Sequence, residues 1–583
     1  MKFLRSFLAS LLALVVFSIV GFFFLAAMVS ALDQEEPVDV SENSVLHINL
    51  NRPLADRSFN DPFSELGFGG GDAKRIGVND LKKALEHAAT DDKIKGIVLE
   101  APSLMGGLAL GEEVRKALVE FKESGKFIWS YADLLTEGGF YISSVADELY
   151  VSPVGDVEWN GLSSKAVFFK GTLDKLDIEA QIFRVGAYKS AVEPFMLDKM
   201  SEASREQTTS FVNSIYDQIV SEMAPDLGIE STKLHDISNQ MTVQTPQQAI
   251  DFGLITGMLY RDQFLQKIAD KIEVEKTKDI NFVSFQDYNR SYKNTNASKN
   301  RIAVIVAEGD IVDGKGSKDQ IGSDRFTREI RKARENDKIK AIVLRVNSPG
   351  GSALASDLIW REIVKTKEVK PVIASFSNYA ASGGYYISMA ADTIVAQPNT
   401  ITGSIGIFGI IFNMGDFMAN KLGITTEDVN TGKYSGMMTT TRALTEAEKK
   451  IIQNSVNRGY EIFTTKAAEG RHMSLEALKA VASGRVWTGT QAKEIGLVDV
   501  LGGLDDAVQI AAEKAGIADD YKVRFYPEQK TAIEELMEEL EGKTEARLMK
   551  AKLGDMYPYA ELLEKVNSMN GVQARMFPSI EIE

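Results

Sequence analysis

The chain has 583 residues, ordinary globular proportions of apolar (44%) and charged (25%) residues, and a net charge of −16. That acidic balance excludes a protein built to hold a phosphate backbone. There is no cysteine, and the four histidines (His47, His87, His235 and His472) lie far apart in sequence, so disulfides, thiolate metal sites and a cysteine nucleophile are excluded, and neither a metal nor a cofactor is expected.

An uncharged run from Ser6 to Leu32 follows Lys2 and Arg5 and precedes Asp33, Glu35 and Glu36. It is long enough for a membrane-spanning helix. The flanking charges put the N-terminus in the cytoplasm and the bulk of the chain outside. Residues 1–32 are therefore expected to form a cytoplasmic tip and a membrane anchor. A cleaved signal peptide ending at Val29, Ser30 and Ala31 is the rival reading, but the apolar core is longer than a usual signal sequence.

Beyond the anchor the chain contains itself twice. Residues 91–100 match residues 336–345 at seven of ten positions, an offset of 245. The same offset aligns Ile76 and Gly77 with Ile321 and Gly322, residues 136–147 with 381–392, and Pro153 with Pro398. Chance identity is roughly one position in fifteen, so this is a duplication. The unit is too large for a solenoid and indicates two related domains.

Each copy predicts the same order of elements. An apolar strand is followed by a glycine-rich turn and a helix. A second strand, ending near Ser130 or Ser375, leads into a Gly-Gly corner and another helix, and a third short strand follows. Alternating strands and helices imply an α/β fold with largely parallel strands. The expected domains are residues 45–285 and 301–525, joined by the polar, Asn-rich linker 286–300. A long helix from about Leu444 to Gly470 has its counterpart at Met200–Met223. Gly484 to Gly489 reads as a structural turn, with Arg485 a possible substrate contact. In the C-terminal extension, residues 526–583, Ile533, Leu536, Met537 and Leu540 have helical spacing on an acidic background. That acidic face suits packing on protein better than on a membrane.

The copies differ where chemistry is expected. Ser382 follows a buried strand and precedes two glycines, so it stands at a strand-to-helix corner suited to a nucleophile. The plain alternative is an N-cap serine. In the first copy Glu137 faces Ser382, although Gly138 and Gly139 are kept. A single-residue gap brings Gly186-Ala-Tyr-Lys-Ser190 onto Gly432-Lys-Tyr-Ser-Gly436, so that Lys189 faces Ser435. One copy has a lysine and no serine; the other has a serine and no lysine. That pattern points to one site assembled from both.

A serine needs a base to lose its proton, and no histidine lies in either glycine corner. A lysine serves if burial keeps its amine neutral. For Lys189 the plain alternative is a surface ion pair with Glu193. Gly350, Gly351 and Gly383 offer backbone N–H groups for an oxyanion hole. Ser404, in the loop after the third strand, is a candidate to hydrogen-bond the lysine amine and aim it at Ser382, with an ordinary loop serine as the plain alternative.

Four motifs, Asn347-Ser-Pro-Gly-Gly-Ser352, Tyr379-Ala-Ala-Ser-Gly-Gly-Tyr385, Thr402-Gly-Ser-Ile-Gly406 and Gly186-Ala-Tyr-Lys-Ser-Ala191, together resemble the long, duplicated signal peptide peptidases of peptidase family S49, the protease IV type. The resemblance covers nearly all of the chain after the anchor. It implies two tandem Clp-protease/crotonase-like domains and a membrane-bound serine endopeptidase. In it Ser382 would be the nucleophile, Lys189 the general base and Ser404 the residue that orients the lysine. It further implies a homotetramer on the periplasmic side of a bacterial inner membrane, acting on hydrophobic remnant signal peptides. Two rivals stand beside it: a crotonase-like acyl-CoA enzyme, and a non-catalytic membrane scaffold that keeps a peptide groove.

Overall fold

The computed structural model describes residues 5–7, 9–17, 20–21, 38–58, 75–292, 296–528, 571–576 and 581–582. Of the expected anchor, residues 6–7, 9–17 and 20–21 are helical. Among the described residues no helix is long and apolar enough to cross a membrane. The rest of that anchor, including 22–32, lies outside the described residues, as do Ile533, Leu536, Met537 and Leu540 of the expected C-terminal helix.

Each copy is built on a parallel sheet. In the first, six strands run in the order Asn281–Ser284, Ser44–Asn49, Ile94–Glu100, Phe127–Leu135, Glu148–Val157 and Gly257–Met258. In the second the order is Val486–Thr488, Ile401–Gly403, Val372–Ala381, Ile339–Ser348, Arg301–Glu308 and Lys522–Tyr526. Only the Val486–Thr488 edge is antiparallel in that series. The central strands are continuous apolar runs, Ile97-Val-Leu99 and Ile342-Val-Leu344, buried on both faces. That is what helices covering both sides of a parallel sheet require.

The duplication is visible in the element boundaries. The helices Val78–Thr90 and Ser323–Glu335 differ by the expected offset at both ends, as do Leu108–Lys122 and Ala353–Lys367. The second strand of each copy runs further than its apolar run predicts, to Leu135 and to Ala381. Tertiary pairing carries it on: Tyr379, Ala380 and Ala381 pair with Ile401, Thr402 and Gly403. Within the expected linker, Phe285–Ser291 is a helix whose Tyr288 is buried against the first copy, 2.6 Å from His87 and 2.8 Å from Asp91.

Two of the contacts that join the copies frame the site. The strand Glu179–Arg184 of the first pairs antiparallel with Phe408–Asn413 of the second. Arg345 of the second is fully buried between Asp56 (2.7 Å) and Glu113 (2.6 Å) of the first. A buried guanidinium is tolerable only when such partners satisfy it.

Candidate active site

Ser382 ends the strand Val372–Ala381 and stands immediately before the short helix Gly383–Ser388. Its φ of +54° is a conformation that side chains resist, at a cost of about 1–3 kcal/mol. The backbone holds it there. Its N–H donates to the Gly403 carbonyl and its own carbonyl accepts from the Tyr386 N–H, both at 2.8 Å. Ser382 occupies the N-cap position, yet its side chain makes no capping bond. The plain N-cap reading is therefore corrected, because the hydroxyl is committed elsewhere.

That commitment is to Lys189, from the first copy of the same chain. Lys189 Nζ lies 2.8 Å from Ser382 Oγ, 3.0 Å from Ser404 Oγ and 3.0 Å from the Ser404 carbonyl oxygen. All three residues are buried. The expected alternative partner, Glu193, is engaged elsewhere. It accepts from Ser201 N (3.1 Å) and Oγ (2.6 Å) and pairs with Arg184 (3.5 Å). Among the described residues no carboxylate pairs with the Lys189 amine. Desolvation pushes its pKa well below the ordinary lysine value.

Two glycines make room for this lysine. Gly484 has φ +80°, and a side chain there would meet Lys189 Cβ at 2.6 Å. One at Gly406 would meet Lys189 Cδ at 3.2 Å. Sequence reading took Gly484 for part of a structural turn and missed this role. The sequence offered only that aligning Val243 with Val486 puts Met241 opposite Gly484. Arg485 is a brace, its guanidinium 4.8 Å from the Tyr188 ring and 4.4 Å from Trp487, with Glu206 3.0 Å away.

The glycine turn lies beside the corner. Side chains at Gly350 and Gly383 would each strike backbone. At Gly350 a methyl group would be 2.2 Å from the Ala574 carbonyl oxygen and 2.7 Å from the Gly383 amide nitrogen. The Gly350 N–H already donates to Ser348 Oγ at 3.2 Å. Gly351 is itself paired with Ile311 on one side and Ala574 on the other, and Gly350, Gly351 and Gly383 all stand as candidate donors. Residues 573–575 run antiparallel to this turn, with Ala574 opposite Gly351, and the Met576 N–H donates to the Pro349 carbonyl at 2.7 Å.

The first copy's corner is built otherwise. Thr136 caps the helix Glu137–Ser143 in a relaxed conformation, accepting from the Gly139 N–H. Glu137 Oε2 accepts from the N–H groups of Asn160 (3.1 Å) and Gly161 (2.9 Å), while buried Oε1 has no partner among the described residues. Burial raises its pKa to about 7 against those bonds. Glu137 lines a cavity of about 390 Å³ with Leu104, Asn160, Tyr379 and Ile401.

The sequence matches Peptidase family S49 twice, over residues 120–275 and 364–518. The chain belongs to peptidase family S49. It is 35% identical over 481 residues to Protease 4 of Salmonella typhi, covering 81% of this chain and 77% of that one. It is 34% identical to the chloroplastic serine protease SPPA of Arabidopsis thaliana, covering 86% of this chain and 74% of that one. Protease 4 of Haemophilus influenzae is also 34% identical, covering 83% of this chain and 81% of its own. This S49 chain is thus an α/β peptidase-family protein with a tandem duplication, of the Protease 4 and signal peptide peptidase type.

Proposed function

We propose that this chain is a serine endopeptidase working through a Ser382–Lys189 dyad. The observation that carries the reading is the 2.8 Å approach of a buried, carboxylate-free amine to a strained, buried hydroxyl. In the resting state the Ser382 O–H donates to the neutral amine. As Oγ bonds to the scissile carbonyl carbon, the proton passes to Lys189 Nζ. Ser404 accepts from the amine and keeps its lone pair on Ser382. The oxyanion is held by N–H groups of the glycine turn and the corner, drawn from Gly350, Gly351 and Gly383. Collapse of the tetrahedral adduct breaks the C–N bond, and the proton returns from Lys189 to the leaving amine. Water then repeats the sequence on the acyl-enzyme.

Peptides are the fitting substrate. An extended stretch of this chain, residues 573–575, pairs along the glycine turn, and the Ala574 carbonyl oxygen reaches the Gly350–Gly383 contact. A substrate strand in that place brings its own carbonyl there. The Protease 4 relatives and the resemblance to signal peptide peptidases favour remnant signal peptides and other hydrophobic peptides. Each copy is read as a Clp-protease/crotonase-like unit. The apolar side chains of Phe7, Leu12, Leu14 and Phe17 are exposed, which favours a membrane-anchored N-terminus with the bulk of the chain on the periplasmic side of a bacterial inner membrane. A homo-oligomer, a tetramer, completes the reading. Membership of a peptidase family supports this reading over the acyl-CoA rival, and the Lys189–Ser382 contact argues against a silent scaffold.

The test is covalent labelling with a serine-directed fluorophosphonate, followed by peptide mapping. The label is expected on Ser382 and is expected to vanish in Lys189→Met. Labelling at another serine, or undiminished labelling of the lysine variant, refutes the dyad.

A further inference from the structure

The cavity beside the first corner holds polar atoms that the fold leaves unused. Its apolar wall combines buried Ile215, Ile219 and Ile401 with half-buried Leu104, Leu108 and Leu162. Glu137 and Asn399 line the same cavity and are only 9% and 3% exposed. Glu137 Oε1, Asn399 Oδ1 and Asn399 Nδ2 have no hydrogen-bond partner among the described residues. Buried polar atoms are normally satisfied, so three unsatisfied ones on one cavity call for an explanation.

Asn378, another lining residue, shows the contrast. Its Nδ2 donates to the Gly106 carbonyl at 2.6 Å and its Oδ1 accepts from the Leu110 N–H at 3.2 Å. A methyl group on Gly107 would lie 2.4 Å from that oxygen. Gly106 and Gly107 are the counterparts of Gly351 and Ser352. The glycine turn of the first copy is therefore plugged by a side chain of the second, and its cavity is left to bind rather than to react.

The unused atoms say what it binds. No lysine, arginine or histidine lines the cavity, and a second carboxylate, Glu158, stands exposed at its rim. Burial, with a smaller contribution from Glu158, works against a charged Glu137. A cation beside Oε1 offsets both. Asn399 asks for something else, an acceptor for its amide N–H and a donor for its oxygen. The amino-terminal residue of a peptide carries an ammonium, a carbonyl and the next N–H in succession. A lysine side chain or a simple alkylamine would serve Glu137 and leave Asn399 unpaired.

We propose that this cavity binds the free amino terminus of a peptide whose first residue is apolar. The ammonium donates to Glu137 Oε1, the first carbonyl accepts from Asn399 Nδ2, and the following N–H donates to Asn399 Oδ1. The first side chain packs on the isoleucines and leucines. The volume, about 390 Å³, is in the range of small-ligand sites. Each cut by the proposed endopeptidase frees one such terminus, so its own products belong to this ligand class. The site uses no group of the dyad and stands or falls apart from it.

Calorimetry on the full-length Ser382→Ala chain tests the site with the proposed nucleophile removed, so that the probe is not consumed. L-leucyl-L-leucinamide is expected to bind at one site per chain. Its Nα-acetyl form lacks the ammonium, and n-hexylammonium lacks the peptide group. Each is expected to bind at least about ten-fold more weakly. Adding Glu137→Gln should weaken the dipeptide amide by a similar factor, with the circular dichroism spectrum unchanged. Leu162→Trp, which fills the cavity from its half-buried wall, should do the same and serves if the glutamine variant fails to fold. Equal binding of n-hexylammonium would make the ligand any alkylamine, and the peptide assignment fails. Equal binding of the acetylated form, or affinity unchanged in the folded variants, would put the probe elsewhere and sink the proposal. No heat of binding at millimolar probe would leave the three atoms to buried water, which overturns it as well.

Discussion

The two glycine corners started as one structure and now obey different physics. At the first, Thr136 caps its helix, the backbone is relaxed, and the buried carboxylate of Glu137 is steadied by two backbone N–H groups. At the second, the corner residue itself carries positive φ, its side chain caps nothing, and its hydroxyl faces a buried amine. The first corner has spent its polar groups on stability. The second withholds its hydroxyl from the helix and turns it to a buried amine, and a strained hydroxyl beside a base is what a nucleophile needs. The difference places the candidate site in neither copy alone: its lysine comes from the copy whose corner lacks the serine.

The largest effects should therefore fall on the pair and on nothing equivalent. Ser382→Ala is expected to cut hydrolysis of a hydrophobic peptide by at least about 10³-fold, as loss of a nucleophile does, with the melting curve preserved. Lys189→Met should cost as much activity yet stabilise the fold. The sign follows from the depressed folded-state pKa. Between that value and the unfolded lysine value near 10.4, the unfolded chain binds more protons, so stability falls as pH falls through the window. Below the window the full penalty remains. Methionine removes it, so the variant's gain in melting temperature should be present at pH 7 and shrink as pH approaches 10.4. A lysine variant that melts lower at pH 7 would mean that the amine is charged in the fold, and the base assignment would go with it.

A second pair of counterparts sharpens the contrast. Glu100 and Arg345 occupy one duplicated position. Glu100 pairs with His47 (3.2 Å) near the surface, whereas Arg345 is sealed between Asp56 and Glu113. Arg345→Ala strands the buried carboxylate of Asp56 and leaves Glu113 with Lys82 (3.1 Å) alone, and should destabilise by about 3–5 kcal/mol. Glu100→Ala should cost about 1 kcal/mol or less. Denaturant midpoints measure both, and equal losses would show that the seam is not held by the arginine.

A smaller loss is expected at Ser404. Without its hydroxyl the amine keeps the bond to the Ser404 carbonyl and to Ser382. Misplacement of the base by a fraction of an ångström suggests about 10–100-fold in kcat. Ser404→Thr is expected to restore part of it. A drop confined to KM would move Ser404 from aiming the lysine to binding substrate.

How much of this was legible depended on whether a signal repeats or merely permits. The α/β class and the duplication were legible because hydrophobic runs and glycine corners recur at a fixed spacing. Ser382 and Lys189 were legible as candidates because each breaks the match between copies, and Ser404 because its glycine-containing loop follows the third strand. Gly484 and Gly406 were not, since a glycine that makes room for another segment's side chain looks like any turn glycine until that segment is in place. The long second strands were missed because Tyr379 to Ala381 are held by pairing with residues 401–403 and not by their own apolarity. The strand at 571–575 was missed for a related reason: its partners lie more than 150 residues upstream.

The smallest effect tests the strain argument directly and has opposite signs at the two corners. Ser382 holds φ +54° only because the Gly403 carbonyl and the Tyr386 N–H fix its backbone. Glycine adopts that conformation without penalty. Ser382→Gly should then be inactive but more stable by about 1 kcal/mol, less whatever glycine gains in the unfolded chain. Thr136 at the other corner is relaxed and uses its hydroxyl as a cap. Thr136→Ala should lose about 1 kcal/mol, with dyad activity unaltered. Denaturant melts of the two variants, run side by side, decide the matter. If both lose stability, Ser382 is an ordinary cap after all, and its positive φ stores nothing that catalysis draws on.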